Sequence, residues 1–221
     1  MPYLKTPRGI NWYYEVSGTG LTLLFLHGFG VNSRIWRQQI KYFSDKYQVI
    51  AIDFPGHGQT DWQEVTLSCI AQDIEFLLRE LDCNEIGIVA SSFGGLVALK
   101  LLEINSKRIK FFVFVGSQPK FCRSENYSFG LEVDRIHKLA RQLENDYPAI
   151  VNIFFRSLFT RQERATRRFR WIQTFKKTDY LPKKEALFAF LKILEKEDLR
   201  HIFYSLNLPI LFINGAEDYI C

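Results

Sequence analysis

The chain has 221 residues, 47% of them apolar and 15% aromatic. That is enough to bury roughly 70% of the unfolded surface in one domain, and it excludes a disordered chain. No apolar run approaches the ~20 residues of a membrane span, and Met1-Pro2-Tyr3-Leu4-Lys5 lacks the apolar core of a secretory signal. The net charge is +5, but residues 120–200 hold 18 Lys/Arg against 11 Asp/Glu while the remainder holds 11 against 13, so the basic character belongs to one stretch and points to an acidic partner there.

Tyr13-Tyr14-Glu15-Val16 predicts an edge strand ahead of a turn at Gly18–Gly20. Leu21–Leu26 is apolar apart from Thr22, as a parallel strand buried on both faces should be, and it stops at His27-Gly28-Phe29-Gly30. A helix is expected from near Ser33, with Ile35, Trp36, Ile40 and Phe43 on one face. Gln48–Ile52 is the next strand, closed by Asp53-Phe54-Pro55-Gly56-His57-Gly58. Leu67–Leu81 carries Ile70, Ile74, Leu77, Leu78 and Leu81 at helical spacing. A strand with Ile86, Ile88 and Val89 runs into Ser91-Ser92-Phe93-Gly94-Gly95, and a helix with Leu96, Val97, Leu99, Leu101 and Leu102 follows. Phe111–Val115 is another buried strand.

From about Pro119 to Phe203 no strand pattern remains, and helical segments are separated at Pro148 and Pro182. Leu208–Ile213 is again a strand, ending at Asn214-Gly215-Ala216-Glu217-Asp218. Strands alternating with helices over short loops imply an α/β fold, a mostly parallel sheet with helices on both faces. Residues 1–118 read as the first part of the core, 119–204 as an inserted helical lid, and 205–221 as the return strand and its loop.

A serine on a sharp turn between a strand and a helix is placed for nucleophilic attack, and small neighbours let the backbone turn tightly. Ser92 is the expected nucleophile. Ala90 stands where a glycine is usual, while Gly94 and Gly95 supply the small residues behind. The alternatives are a serine that caps the following helix, and Ser91, which would put Phe93 where a glycine is wanted. Acyl hydrolysis also needs two donors for the oxyanion, and these are expected to be the backbone N–H groups of Phe93 and Phe29. Asp218, just past the last strand, is the expected acid that orients a histidine, with neighbouring Glu217 as the alternative and a solvated turn residue as the other reading. None of His27, His57, His137 and His201 follows Asp218, although the usual order is serine, acid, histidine. His27 reads as a brace for its loop, His57 as a turn residue, and His137 and His201 as exposed lid residues. Cys69, Cys83, Cys122 and Cys221 show no metal or redox spacing, so a reduced, cytoplasmic protein without metal or cofactor is expected.

With these pieces in order, the whole chain resembles an α/β-hydrolase, and within that superfamily the pimeloyl-acyl carrier protein methyl ester esterases of biotin synthesis. Leu26-His27-Gly28-Phe29-Gly30-Val31-Asn32 with Ile35-Trp36 resembles that family's oxyanion loop, and Asp53–Gly58 its next turn. Leu191-Lys192-Ile193-Leu194 with Asp198-Leu199-Arg200, leading to Leu208-Pro209, is similar to its lid exit. The resemblance implies hydrolysis of the methyl ester of pimeloyl-acyl carrier protein. It also implies contact between lid arginines and the acidic carrier. Arg156, Arg161, Arg164, Arg167, Arg168 and Arg170 lie in one short stretch, and arginine suits bidentate contacts to phosphate and carboxylate. A merely solvated helix face is the other reading. Phe154, Phe155, Phe159, Phe188 and Phe190 would line an acyl pocket or form the lid's own core.

Members of the family continue past the acid with a strand, a histidine-bearing loop and a closing helix. The expectation is therefore a truncated, inactive form of a longer esterase, with an uncovered sheet edge prone to aggregation. Neither nucleic acid nor membrane is expected as a partner, and the chain should be monomeric. A general carboxylesterase or lipase-like hydrolase of the same fold, and a non-catalytic binding protein, are the competing readings.

Overall fold

The computed structural model describes residues 2–173 and 181–221. Among these residues, seven strands form one sheet in the order β1-β2-β4-β3-β5-β6-β7. They are β1 (Tyr3–Lys5), β2 (Asn11–Ser17), β3 (Thr22–Leu26), β4 (Gln48–Ile52), β5 (Ile86–Ser91), β6 (Ile109–Val115) and β7 (Ile210–Ile213). β1 and β2 pair antiparallel, as do β2 and β4, and every later pair is parallel. The edge expected at Tyr13–Val16 lies one strand further out, because β1 covers it with Tyr3 opposite Tyr13. Three residues are too few for an alternating pattern to register in sequence.

Side chains alternate across the central strands. Leu24, Leu26, Ile50, Ile52, Ile88 and Ala90 face α2 (Leu67–Glu80) and α3 (Phe93–Ile104). Leu23, Phe25, Val49 and Ala51 face Trp36 and α1 (Arg37–Phe43) on the other side. The helix expected from Ser33 opens instead as a 3-10 turn over Ser33–Trp36, its start capped by the Asn32 side chain, which accepts from the Arg34 N–H.

Between β6 and β7 lie α4 (Val133–Asn145), α5 (Tyr147–Ser157), α6 (Arg161–Arg164), α7 (Arg167–Gln173) and α8 (Lys184–Lys196), then α9 (Arg200–Tyr204). Pro148 does separate two helices, but it does so from within the first turn of α5. There a missing N–H costs nothing. β7 is the outer strand on its side, with Leu211, Phe212 and Ile213 between 44% and 54% exposed. No helix among the described residues is long and apolar enough to cross a membrane.

The register decides where chemistry can gather. Leu26 of β3 is level with Ala90 of β5, which is level with Phe114 of β6, itself level with Phe212 of β7. The loops at 27–30, 92–93, 116–118 and 214–221 therefore all leave the sheet at its carboxyl edge, where parallel sheets open their crevices.

Candidate active site

Ser92 has φ 49° and ψ −118°; with Asp82 it is one of two non-glycine residues at positive φ among those described. Such a conformation costs about 1–3 kcal/mol and persists only where the surroundings impose it. Here they do. The Ser92 N–H donates to the Val115 carbonyl at 3.0 Å, and the Ser117 hydroxyl donates to the Ser92 carbonyl at 2.7 Å. The Ser92 side chain makes no capping bond to α3, so the helix-cap alternative fails. Behind it, a Cβ at Gly94 would stand 2.7 Å from the Leu26 carbonyl oxygen and 2.8 Å from that of His27. Only glycine lets α3 approach the end of β3 so closely. Ser91 closes β5 and lines the same cavity as Ser92.

His27 is fully buried beneath the loop that carries Phe29. Its Nε2 accepts the Phe54 backbone N–H at 2.9 Å, which leaves the proton on Nδ1 to be donated to the Gly28 carbonyl at 2.8 Å. Burial, with the nearby His57 as second cause, holds its pKa well below the ordinary imidazole range. His27 thus stays neutral and braces the loop, as its sequence position suggested. His57 is equally buried, hydrogen-bonds the Pro55 carbonyl through Nδ1 at 3.1 Å, and is pushed down to about 4 by burial. Phe93 opens α3, so its N–H is among the first amides of the helix, which have no partner within it.

Asp218 Oδ1 accepts the N–H groups of Ile220 at 2.9 Å and Cys221 at 3.0 Å. Asp218 and Ser92 line one cavity of about 970 Å³, together with Gly28, Phe29 and Glu217. Its far walls come from the lid, with Phe154, Phe155 and Phe159 among them. Phe190 does not reach it and lies in the core, and Phe188 packs partly buried against that core. Cys221 and Tyr219 are the members that sequence reasoning missed. The Cys221 thiol sits beside Ser92 and Asp218, and its pKa is pushed up to about 12, first by burial and then by the Asp218 charge. The Tyr219 hydroxyl donates to the Ser157 carbonyl at 3.2 Å, which ties the acid's loop to the lid. None of the four histidines lines this cavity. His137 instead lies 3.2 Å from Glu195, and His201 3.9 Å from Glu103.

The expected partner-binding arginines lie across the end of α5, α6 and α7. Arg156, Arg161, Arg167 and Arg168 are exposed and Arg164 is half-buried. None forms an ion pair with a carboxylate among the described residues. Glu163, the sole acid between residues 156 and 170, is otherwise engaged. Its carboxylate accepts the Thr160 N–H at 2.8 Å while its own N–H donates to the Thr160 hydroxyl at 3.2 Å, a capping box at the start of α6.

The chain is similar to known proteins over most of its length. The pimeloyl-[acyl-carrier protein] methyl ester esterase of Nitrosomonas europaea is 28% identical over 208 residues, 94% of this chain and 81% of that protein. The Vibrio cholerae protein of the same name is 30% identical over 207 residues, 93% of this chain and 79% of its own length. Among solved structures, an esterase from Exiguobacterium antarcticum superposes with a TM-score of 0.91 at 22% identity, covering 99% of this chain and 82% of that one. A bromoperoxidase from Bacillus anthracis gives 0.85 at 25% identity, covering 94% and 78%. The sequence profile of the alpha/beta hydrolase fold matches residues 22–220, and the chain belongs to that family.

Proposed function

We propose that this chain is a serine carboxylesterase whose substrate is the methyl ester of pimeloyl-acyl carrier protein. The observation that carries the reading is the joint placement of Ser92, on its strained turn, and Asp218 on one largely apolar cavity beneath a lid whose arginines between 156 and 170 form no ion pair with a carboxylate among the described residues. The names of the relatives in Nitrosomonas europaea and Vibrio cholerae supply the substrate class.

In this reading the Ser92 hydroxyl oxygen attacks the ester carbonyl carbon, and its proton passes to a base. The backbone N–H groups of Phe29 and Phe93 take the charge that develops on the carbonyl oxygen. The carbon–methoxy bond then breaks, methanol leaves with the proton, and water releases the acyl group from Ser92 as a free carboxylate. Asp218 holds the base in its productive tautomer. The apolar lid wall accepts the acyl chain, and the arginines between 156 and 170 receive the acidic carrier and the phosphate of its arm.

None of the four histidines lines the cavity, so none of them supplies the base, and loss of one triad member costs on the order of 10⁴–10⁶ in rate. Imidazole added to the solution should therefore raise the rate of methanol release from the carrier-linked ester. The rise should saturate, and it should vanish in Ser92→Ala. An equal rate in Ser92→Ala would overturn the reading. Equal hydrolysis of free methyl pimelate and of the carrier-linked ester would assign a general carboxylesterase instead. Carrier binding without hydrolysis, untouched by Ser92→Ala, would assign a binding protein.

A further inference from the structure

Phe190 stands on α8, where the chain leaves the lid, and it is fully buried. Its ring lies 4.2 Å from that of Phe93 at an interplanar angle of 12°, the one near-parallel stack between lid and nucleophile turn among the described residues. It also meets the ring of His57 at 4.6 Å and that of Phe54 at 6.1 Å. Phe54 in turn packs on Phe93 at 5.7 Å and on His27 at 4.4 Å, and its N–H is the one that His27 accepts. One lid side chain thus rests on the residue that gives one oxyanion amide. Through Phe54 and His57 it also rests on the histidine that braces the loop giving the other.

The helix bearing Phe190 is seated on the loop of Phe54 and His57 and on the loop of Phe29. The Lys183 N–H, at the start of α8, donates to the Gly56 carbonyl at 2.6 Å. A methyl group at Gly56 would come within 2.5 Å of the Ala186 side chain, and Leu187 packs over Gly30. Close-packed interiors transmit displacement rather than absorb it, and oxyanion donors act only when held within about 0.5 Å of their working positions.

We propose that Phe190 is a positioning residue that fixes the relative placement of the Phe29 and Phe93 amides, so that the lid's exit helix is part of the oxyanion hole's support. The proposal rests on the esterase reading for its catalytic consequence, while the coupling itself is structural. Leucine at 190 keeps the site apolar but removes the flat ring that faces Phe93.

The test compares Phe190→Leu with Ile193→Ala, which empties buried volume on the same helix away from the stack and the cavity. Two readouts are followed: imidazole-assisted hydrolysis, and the ¹⁵N relaxation of the Phe29 and Phe93 amides. Phe190→Leu should lower kcat about 10- to 100-fold with KM within about twofold, and should broaden both amide signals. Ile193→Ala should lower Tm and leave kcat and both amides unchanged. Unaltered kcat and amides in Phe190→Leu would overturn the proposal, as would the same losses in Ile193→Ala. If the parent chain hydrolyses nothing, the esterase reading fails by itself and the two amide signals still decide the coupling.

Discussion

At the carboxyl ends of β3, β4 and β5, His27, Phe54, Ala90 and Phe93 are all fully buried, whereas Arg156, Arg161, Arg167 and Arg168 on the lid are exposed with no carboxylate paired to them among the described residues. The first region is over-determined. It holds Ser92 in a conformation that a free chain avoids, through two hydrogen bonds and a glycine approach. The second spends nothing on fixing its charges and keeps them available. A site that orders reacting atoms needs rigidity, and a surface that meets a charged partner needs unspent charge. Contacts that join the sheet's loops to the lid include the Tyr219–Ser157 bond and the Phe190 stack.

The contrast makes the two regions answer differently to substitution. Phe54→Ala removes a fully buried ring that touches His27, Phe93 and Phe190. It should cost about 3–5 kcal/mol in urea unfolding, and a loss below about 1 kcal/mol would show that the cluster does not hold the site.

Acid should act on the same cluster. His27 and His57 are neutral in the folded chain, with depressed pKa values, and titrate near 6.5 when unfolded. Above that pH they contribute nothing to the pH dependence. As pH falls from 6.5 toward 4 the unfolded chain gains protons that the folded chain resists, so stability is lost. His57 alone accounts for about 3 kcal/mol by pH 4. Equal urea midpoints at pH 7 and pH 4.5 would break this account.

Least of all, the combined change Arg164→Ala, Arg167→Ala and Arg168→Ala should leave Tm nearly still, each contributing within about 0.5 kcal/mol. Under the proposed function it should raise KM for the carrier-linked ester while sparing a small free ester. A fall in both activities alike would mean that these arginines serve the fold.

Much of the sheet was legible because parallel strands buried on both faces read as apolar runs; Leu21–Leu26 and Phe111–Val115 lie within a residue or two of β3 and β6. The turn at Ser92 was legible because its neighbours must be small, a local requirement. β1 was not, since three residues of alternating exposure carry no period. Asp218 could be named from its distance past a strand, but Cys221 and Tyr219 could not. Their contacts with Ser92 and Ser157 span 129 and 62 positions, and no local pattern encodes them. Phe190 was read as pocket lining or lid core; it is core, because the helical face that carries it turns toward Phe93 and His57 rather than toward the cavity. The arginine run was visible in sequence, whereas the lack of carboxylates paired to it among the described residues could be seen only in the fold.

The capping box of α6 bears on how fast a partner arrives. Because Glu163 is committed to the Thr160 backbone, its negative charge is held at the start of the helix and closes no ion pair with the arginines around it. The positive field of the run extends outward over a Debye length, about 8 Å at physiological ionic strength. Under the proposed function, that field draws in and orients the acidic carrier before any atoms touch. Added salt should slow that capture steeply while leaving the lifetime of the formed complex far less changed.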